Sequence, residues 1–182
     1  MNTPEAYSFL PESSVSQGAR PGYGDLLMCA AQDFTTVAPL PTSASTEGGL
    51  RIIVGDHTFS GTKGFRNITL YRDDSETTGS APGDPGFKTP LYEVKGFIAG
   101  DKAANREFIE NLANSGIILL QTAADPANTD IKQYGAEKNW CVVKDYKYSS
   151  GGKIKGGNKG YEIIFEAPCM YDYQGVVTLQ TS

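Results

Sequence analysis

From residue 50 onward, short apolar segments alternate with turn-rich segments, and this pattern restricts the fold more than any other feature. The apolar segments are typical of strands and cover residues 50–54, 57–59, 66–71, 91–97, 117–121, 139–146, 160–167 and 175–180. In the segment GYEIIFEA, the alternate residues Tyr161, Ile163 and Phe165 fall on one face of a strand, and the other face is mostly charged. We therefore predict a mainly β protein, an antiparallel two-sheet sandwich or barrel with long loops. One sheet face would be buried, and the other would face solvent or a polar channel.

The segment DKAANREFIENLANSG, which begins at Asp101, has the periodicity of an α-helix. Phe108, Ile109 and Leu112 lie on one apolar stripe, while charged and amide side chains cover the opposite face. The carboxylate of Asp101 is positioned in the sequence to accept hydrogen bonds from the free amides of the first turn. We predict a helix over about 102–115 whose apolar stripe flanks the sandwich and belongs to its core.

Residues 1–48 differ in composition from the rest of the chain. They are rich in Pro, Ser, Thr, Gly and Ala, and their apolar residues come in short groups without a sustained period. We interpret them as an extended N-terminal arm that precedes a β-domain of residues 49–182. Deletion of residues 1–45 is therefore expected to leave the β-domain folded. The apolar residues of the arm are candidates for contact with a neighbouring subunit, and they are Phe9, Tyr23, Leu26, Leu27 and Phe34.

Charge is unevenly distributed along the chain. The whole sequence has 16 basic and 21 acidic residues, a net charge of −5, which argues against general affinity for nucleic-acid duplexes. The first 50 residues are acidic, whereas residues 140–160 contain five lysines and one aspartate. Lys153, Lys155 and Lys159 are therefore further interface candidates, because they could meet the acidic arm of a neighbouring subunit.

Three long polar insertions interrupt the strand pattern, at residues 73–90, 122–138 and 149–160. Loops of this length in a compact domain usually reach a partner or carry chemistry.

No apolar run approaches the ~20 residues that a membrane-spanning helix needs, and the N-terminus has no signal-peptide pattern. We expect a soluble protein made in the cytosol. The odd number of cysteines, at unrelated spacings, favours buried or half-buried thiols over disulfides.

The sequence offers no convincing catalytic, cofactor or metal site. His57 stands beside Asp56 without a recognisable nucleophile nearby, and we interpret it as a surface strand histidine. The cysteines and His57 lack the spacing of a metal site. The glycines of GGKIKGG do not lie between a strand and a helix, as a phosphate-binding loop requires. Asp73 and Asp74 fit a solvated loop better than a calcium or glycosidase site. We therefore expect a protein that is not an enzyme and has no cofactor.

Aromatic residues suggest an alternative of another class, a carbohydrate-binding β-sandwich module. The residues that could stack on sugars or bases are Trp140, Tyr161, Tyr171 and Tyr173. Large aromatic side chains in strands more often belong to a core or an interface.

The order of segments resembles that of bacteriophage tail tube proteins, above all the versions from phages of Bacteroidetes-type hosts. The resemblance covers roughly residues 49–180. It rests on GTKGFRNITLY, TPLYEVKGFIAGD, FIENLANSG, IILL, GAEKNWCVV, GYEIIFEAP and YDYQG in this order. Tubes of contractile injection systems, tail terminators, distal tail proteins and baseplate ring proteins are similar at this level.

This resemblance implies a two-sheet β-fold with one helix, six protomers closed into a ring, and rings stacked into a conduit. The implied partners are other copies of the chain, other tail proteins, and phage DNA that passes through the lumen without specific binding. No membrane partner is implied. The implied location is the tail of the virion, after assembly in the cytoplasm of the bacterial host.

Overall fold

The computed structural model describes residues 23–43, 49–68, 70, 76–123, 129–151 and 159–181. Within these ranges the chain forms one α-helix and twelve strands. The strands are β1 (Tyr23–Ala30), β2 (Phe34–Thr36), β3 (Ile52–Ile53), β4 (Thr58–Phe59), β5 (Arg66–Ile68), β6 (Glu76–Ser80), β7 (Leu91–Ala99), β8 (Ile117–Ala123), β9 (Ile131–Tyr134), β10 (Val142–Ser150), β11 (Lys159–Ala167) and β12 (Met170–Tyr173). Helix α1 (Ala103–Leu112) lies between β7 and β8. The predicted mainly β fold with one helix is confirmed.

The strands assemble into three sheets. A six-stranded sheet has the order β3-β12-β9-β8-β1-β5, a four-stranded sheet has the order β10-β11-β7-β6, and β2 pairs with β4. All pairs are antiparallel except β12 with β3. The long antiparallel strands agree with the predicted sandwich, and the short parallel pair lies at one edge of the larger sheet.

The main core lies between the six-stranded and four-stranded sheets, with helix α1 packed against it. The six-stranded sheet contributes Leu26, Met28, Ile68, Ile117, Leu119 and Tyr134, and the four-stranded sheet contributes Val94, Ile98, Tyr161, Ile163, Phe165 and Ala167. On α1, Ile109 and Leu112 are buried in the same core, and the half-buried Phe108 packs against it. The predicted inward stripe of the helix is therefore confirmed.

A second core covers the opposite face of the six-stranded sheet. Its members include Leu27, Cys29, Ile53, Phe65, Ile118, Leu120 and Tyr173, and the small β2-β4 sheet adds the half-buried Phe34 and Phe59. Strand β8 takes part in both cores, because Ile117 and Leu119 point to one side and Ile118 and Leu120 to the other. All four side chains are fully buried, which explains why this strand is an unbroken apolar run.

The prediction that residues 1–48 are an arm is wrong for residues 23–43. Strand β1 lies between β8 and β5 in the six-stranded sheet, and Leu26 and Leu27 are buried in the two cores of the same protomer. Because both faces of β1 are covered, its sequence lacks the alternation that would have indicated a strand. Residues 1–22 lie outside the described residues.

Several predicted loops and strands also differ from the structure. Strand β6 lies inside the insertion predicted at residues 73–90, and β9 lies inside the one predicted at 122–138. The predicted strand at 175–180 forms only a bridge between Phe65 and Leu179. The short sequences of β6 and β9 show no alternation of apolar and polar residues. These segments are strands because they pair with the longer strands β7 and β8, respectively.

Deleting residues 1–45 should prevent folding, because the deletion removes β1 from between β8 and β5. The exposed edge of β8 would lose its backbone partner, and both cores would lose buried side chains. We expect the truncated chain to be insoluble or to lack a cooperative thermal transition by circular dichroism. A soluble truncated chain with the full-length transition would contradict the central position of β1.

The change Leu112→Asp should unfold the protomer. The side chain of Leu112 is 4% exposed in the main core, so the change loses an apolar contact of ~2–5 kcal/mol and buries an unpaired charge. The control is Glu110→Ala on the exposed face of the same helix, which should change the free energy of unfolding by less than about 0.5 kcal/mol. Urea denaturation measures both. Equal stability of the two variants would show that the helix is not part of the core.

Candidate assembly surface

The outer face of the four-stranded sheet is a charged surface. Side chains on β7 and β11 alternate between the main core and this face, which carries Glu93, Lys95, Glu162 and Glu166 together with Ile164 and the buried Phe97. Glu93 and Glu166 stand directly opposite each other, an arrangement that is unfavourable for two carboxylates. Lys144 from the adjacent strand β10 compensates, since its ammonium group contacts both carboxylates. These contacts, with Glu93 first, raise the pKa of Lys144 above its usual value.

A second ion pair joins β7 to β11 on the same face. The Nζ atom of Lys95 lies 3.2 Å from Oε1 of Glu162. Exposed pairs of this kind contribute little to stability, roughly 0–1 kcal/mol each. The charged side chains therefore define the polar character of the face rather than hold the sheet together, and the sheet is stabilised by its buried side.

Strand β10 is a long, exposed edge of this sheet. Within the described ranges it pairs only with β11, and β6 at the opposite edge pairs only with β7. Three large side chains on β10 remain exposed by more than two fifths, namely Val142, Tyr146 and Tyr148. A long edge strand with exposed apolar groups is a template for pairing with another strand unless it is protected.

Asp101 connects the start of helix α1 to the end of the β10-β11 hairpin. Its carboxylate accepts a hydrogen bond of 2.9 Å from the hydroxyl of Tyr148, and it lies 3.1 Å from Nζ of Lys159 and 3.3 Å from the guanidinium of Arg106. The contact with Lys159, followed by that with Tyr148, holds the pKa of Asp101 below its usual value.

Asp101 was predicted to cap the helix. That prediction is wrong, because the capping position is Lys102 and it makes no side-chain hydrogen bond.

The predicted interface residues do not form one surface. Leu26 and Leu27 are buried in the protomer, so their assignment to a subunit interface is wrong. The half-buried Phe34 packs against the second core of its own protomer, with its ring 5.1 Å from that of Phe59. Lys159 contacts Asp101 of its own chain. Phe9, Lys153, Lys155 and the side chain of Tyr23 lie outside the described residues.

The aromatic residues considered for sugar stacking do not form an exposed platform. Tyr161 and Tyr173 are buried, and Tyr171 is half-buried beneath the guanidinium of Arg51. Trp140 is half-buried in the second core and lies so close to Gly116 that a Cβ atom there would be 2.8 Å from its ring. These side chains belong to the packing of the protomer.

His57 is buried, and the prediction that it lies on the surface is wrong. Its side chain is 3% exposed and stacks on the ring of Tyr173 at 4.9 Å. The Nδ1 atom accepts a hydrogen bond of 3.1 Å from the backbone N–H of Ala38, so Nε2 carries the proton and donates to the buried Oε1 of Gln133 at 2.9 Å. This network joins the segment after β2 to β9 and β12. Its members are far apart in sequence, so no local pattern indicates them.

The three cysteines are buried, as predicted. Burial raises the pKa of Cys29 to about 12 and also raises the pKa values of Cys141 and Cys169, so the thiols are protonated at neutral pH. Among the residues that the structure describes, no three His, Cys, Asp or Glu side chains are close enough to hold a metal ion. The same part of the chain contains no helix that is long and apolar enough to cross a membrane.

Comparison of the chain with protein-family models, with curated proteins and with solved structures finds no match.

Lowering the pH should destabilise the protein through His57. Burial lowers the pKa of His57 below 6.5, although Gln133 and the nearby Asp56 act in the opposite direction. The unfolded chain therefore binds a proton more readily than the folded protein. The stability that the neutral ring provides is complete above about pH 6.5 and decreases as the pH falls toward the lower pKa of the folded state.

The measurement is urea denaturation between pH 7.5 and 5.5, for the wild type and for His57→Gln. We expect the free energy of unfolding of the wild type to fall by up to about 1.4 kcal/mol per pH unit where the folded and unfolded proteins differ by one proton. The profile of His57→Gln should be flatter, whatever its absolute stability. Parallel profiles would contradict the requirement for a neutral His57.

Proposed function

We propose that this chain is a structural, non-enzymatic subunit that closes into rings and builds a tube, as the resemblance to phage tail tube proteins implies. The observation that carries the proposal is the pair of edges on the four-stranded sheet. Strands β10 and β6 form these edges and run in opposite directions. A second copy in the same orientation can therefore place its β6 beside β10 with antiparallel pairing.

Repetition of this contact favours a ring. Each copy uses β10 on one side and β6 on the other, so the contact is head-to-tail and leaves a free edge at both ends of any open chain. Only a closed ring pairs both edges of every four-stranded sheet, and closure thereby removes those exposed edges as sites of aggregation. By analogy with the family we propose six copies. Other tail proteins would bind at the ends of the stacked rings.

The polar face of the four-stranded sheet suits the wall of a DNA conduit. Its carboxylates are those of Glu76, Glu93, Asp145, Glu162 and Glu166, and its ammonium groups are those of Lys95, Lys144 and Lys147. Carboxylates are thus in excess on this face, and they repel the phosphates of DNA. DNA would slide along such a wall without specific binding. The proposed location is the tail of a virion, after assembly in the bacterial cytoplasm.

A tail terminator, a distal tail protein, a baseplate ring or an injection-system tube would use the same ring contact. These alternatives differ from a tail tube in how many rings stack. Light scattering and negative-stain microscopy of the purified protein separate them. A tube subunit gives stacked rings of uniform diameter, a single-ring protein gives particles of about six copies of the 19.5-kDa chain, and a monomer at all concentrations would contradict the proposal.

The change Tyr146→Lys should block ring formation without unfolding the protomer. Tyr146 lies opposite Ile163 on the core side of the sheet, but it is 42% exposed at the β10 edge, and the long side chain of a lysine can extend its ammonium group into solvent. The charge is therefore tolerated in the monomer but opposes pairing with another strand. The matched control is Val54→Lys, at an exposed position beside the short strand β3 of the other sheet. Size-exclusion chromatography should show monomers for Tyr146→Lys and rings for the control. Rings of normal size from Tyr146→Lys would exclude β10 from the interface.

A further inference from the structure

Phe87 is exposed to an extent that is unusual for a phenylalanine. Its side chain is 84% exposed, more than that of any other large apolar residue in the part of the chain that the structure describes. It lies in the loop of residues 81–90, which connects β6 to β7. Exposed aromatic side chains of this kind are frequent anchors of protein interfaces.

Backbone hydrogen bonds order the loop around Phe87. The N–H of Phe87 donates to the carbonyl of Asp84 at 2.9 Å, and the N–H of Thr89 donates to the carbonyl of Pro82 at 3.1 Å. Gly83 has a φ of 119°, and a Cβ atom there would lie 2.6 Å from the carbonyl oxygen of Phe87, so only glycine fits. A preordered loop loses little conformational entropy when it binds.

An apolar groove of about 430 Å³ lies beside helix α1. It is lined by Asn67, Ile68, Leu70, Ile98, Ala99, Asn105 and Phe108. Phe108 is the half-buried member of the helix stripe, and together with Asn105 it forms the wall of the groove on the helix side. The groove is large enough for a phenyl ring and offers it mainly aliphatic and aromatic contacts.

The groove and the Phe87 loop lie at opposite ends of strand β7. The loop joins the strand at Leu91, whereas Ile98 and Ala99 at the other end line the groove. The two ends are roughly 26 Å apart, given about 3.3 Å per residue. Phe87 is four residues from Leu91 and reaches roughly 14 Å at most. The Phe87 side chain of a protomer therefore cannot enter the groove of the same protomer.

We propose that the Phe87 side chain of one copy inserts into the α1 groove of a second copy of this chain. This proposal rests on the proposed ring assembly, and the contact would join neighbouring rings along the ring axis. Because ring closure through β10 and β6 uses the sides of the four-stranded sheet, the ends of β7 point along the ring axis. The contact joins one end of β7 in one copy to the opposite end of β7 in the next copy. Such a head-to-tail contact along the axis does not close into a ring, so it stacks one ring on the next.

The first test is the change Phe87→Ser, with Val176→Ser as the matched control at another highly exposed apolar position. Both variants should keep the circular dichroism spectrum and melting temperature of the wild type. Phe87→Ser should still form rings, but its critical concentration for stacking should rise at least about 30-fold, the scale expected for loss of an interface anchor. The control should stack like the wild type.

The second test locates the contact by disulfide formation. The three native cysteines are buried, so new cysteines at Lys88, beside Phe87, and at Ala99 can be oxidised selectively. Both variants keep the Phe87 side chain, and mixing Lys88→Cys with Ala99→Cys in assembled protein should give a disulfide-linked dimer of the two variants. Val176→Cys mixed with Ala99→Cys should not.

The outcomes separate the two proposals. Tubes of normal length from Phe87→Ser, or the absence of the Lys88–Ala99 cross-link in assembled tubes, would overturn the stacking contact and leave ring formation intact. A wild-type protein that stays monomeric, and a mixture of variants that gives no cross-link at high concentration, would overturn both.

Discussion

The complete burial of strand β8 is the constraint on which the rest of the structure depends. Its residues Ile117 to Leu120 are buried on both faces, so the sheet that contains them must be covered twice. The four-stranded sheet and helix α1 cover one face, and the small β2-β4 sheet covers the other. This arrangement leaves the four-stranded sheet as the outer layer, with a polar outer face and two edges open to partners.

The sequence predicted those elements whose pattern is local. The alternation around Tyr161 and the stripe through Leu112 are correct, because one face of each element is buried and the other is solvated. Strand β1 was missed because burial of both its faces removes the alternation. The network of His57 and Gln133 was missed because it joins residues 76 positions apart, and the fold alone brings them together.

The sequence predicted the proposed assembly surface only in part. Phe87 lies in an insertion for which the sequence predicted contact with a partner or a role in chemistry, but neither its exposure nor the groove at the other end of β7 follows from a local pattern. Leu26 and Leu27, which the sequence analysis assigned to an arm, belong to the two cores. In the proposed assembly, edge pairing acts around the ring and the aromatic loop acts along its axis, so the two contacts are physically independent.

The most direct measurement is a cryo-electron microscopy reconstruction of the assembled protein at a resolution that separates strands. We predict a continuous antiparallel sheet in which β10 of each protomer lies about 4.8 Å from β6 of its neighbour, with the charged face toward the lumen. A ring in which β10 faces solvent, or in which the six-stranded sheet forms the contact between neighbours, would contradict the proposed function.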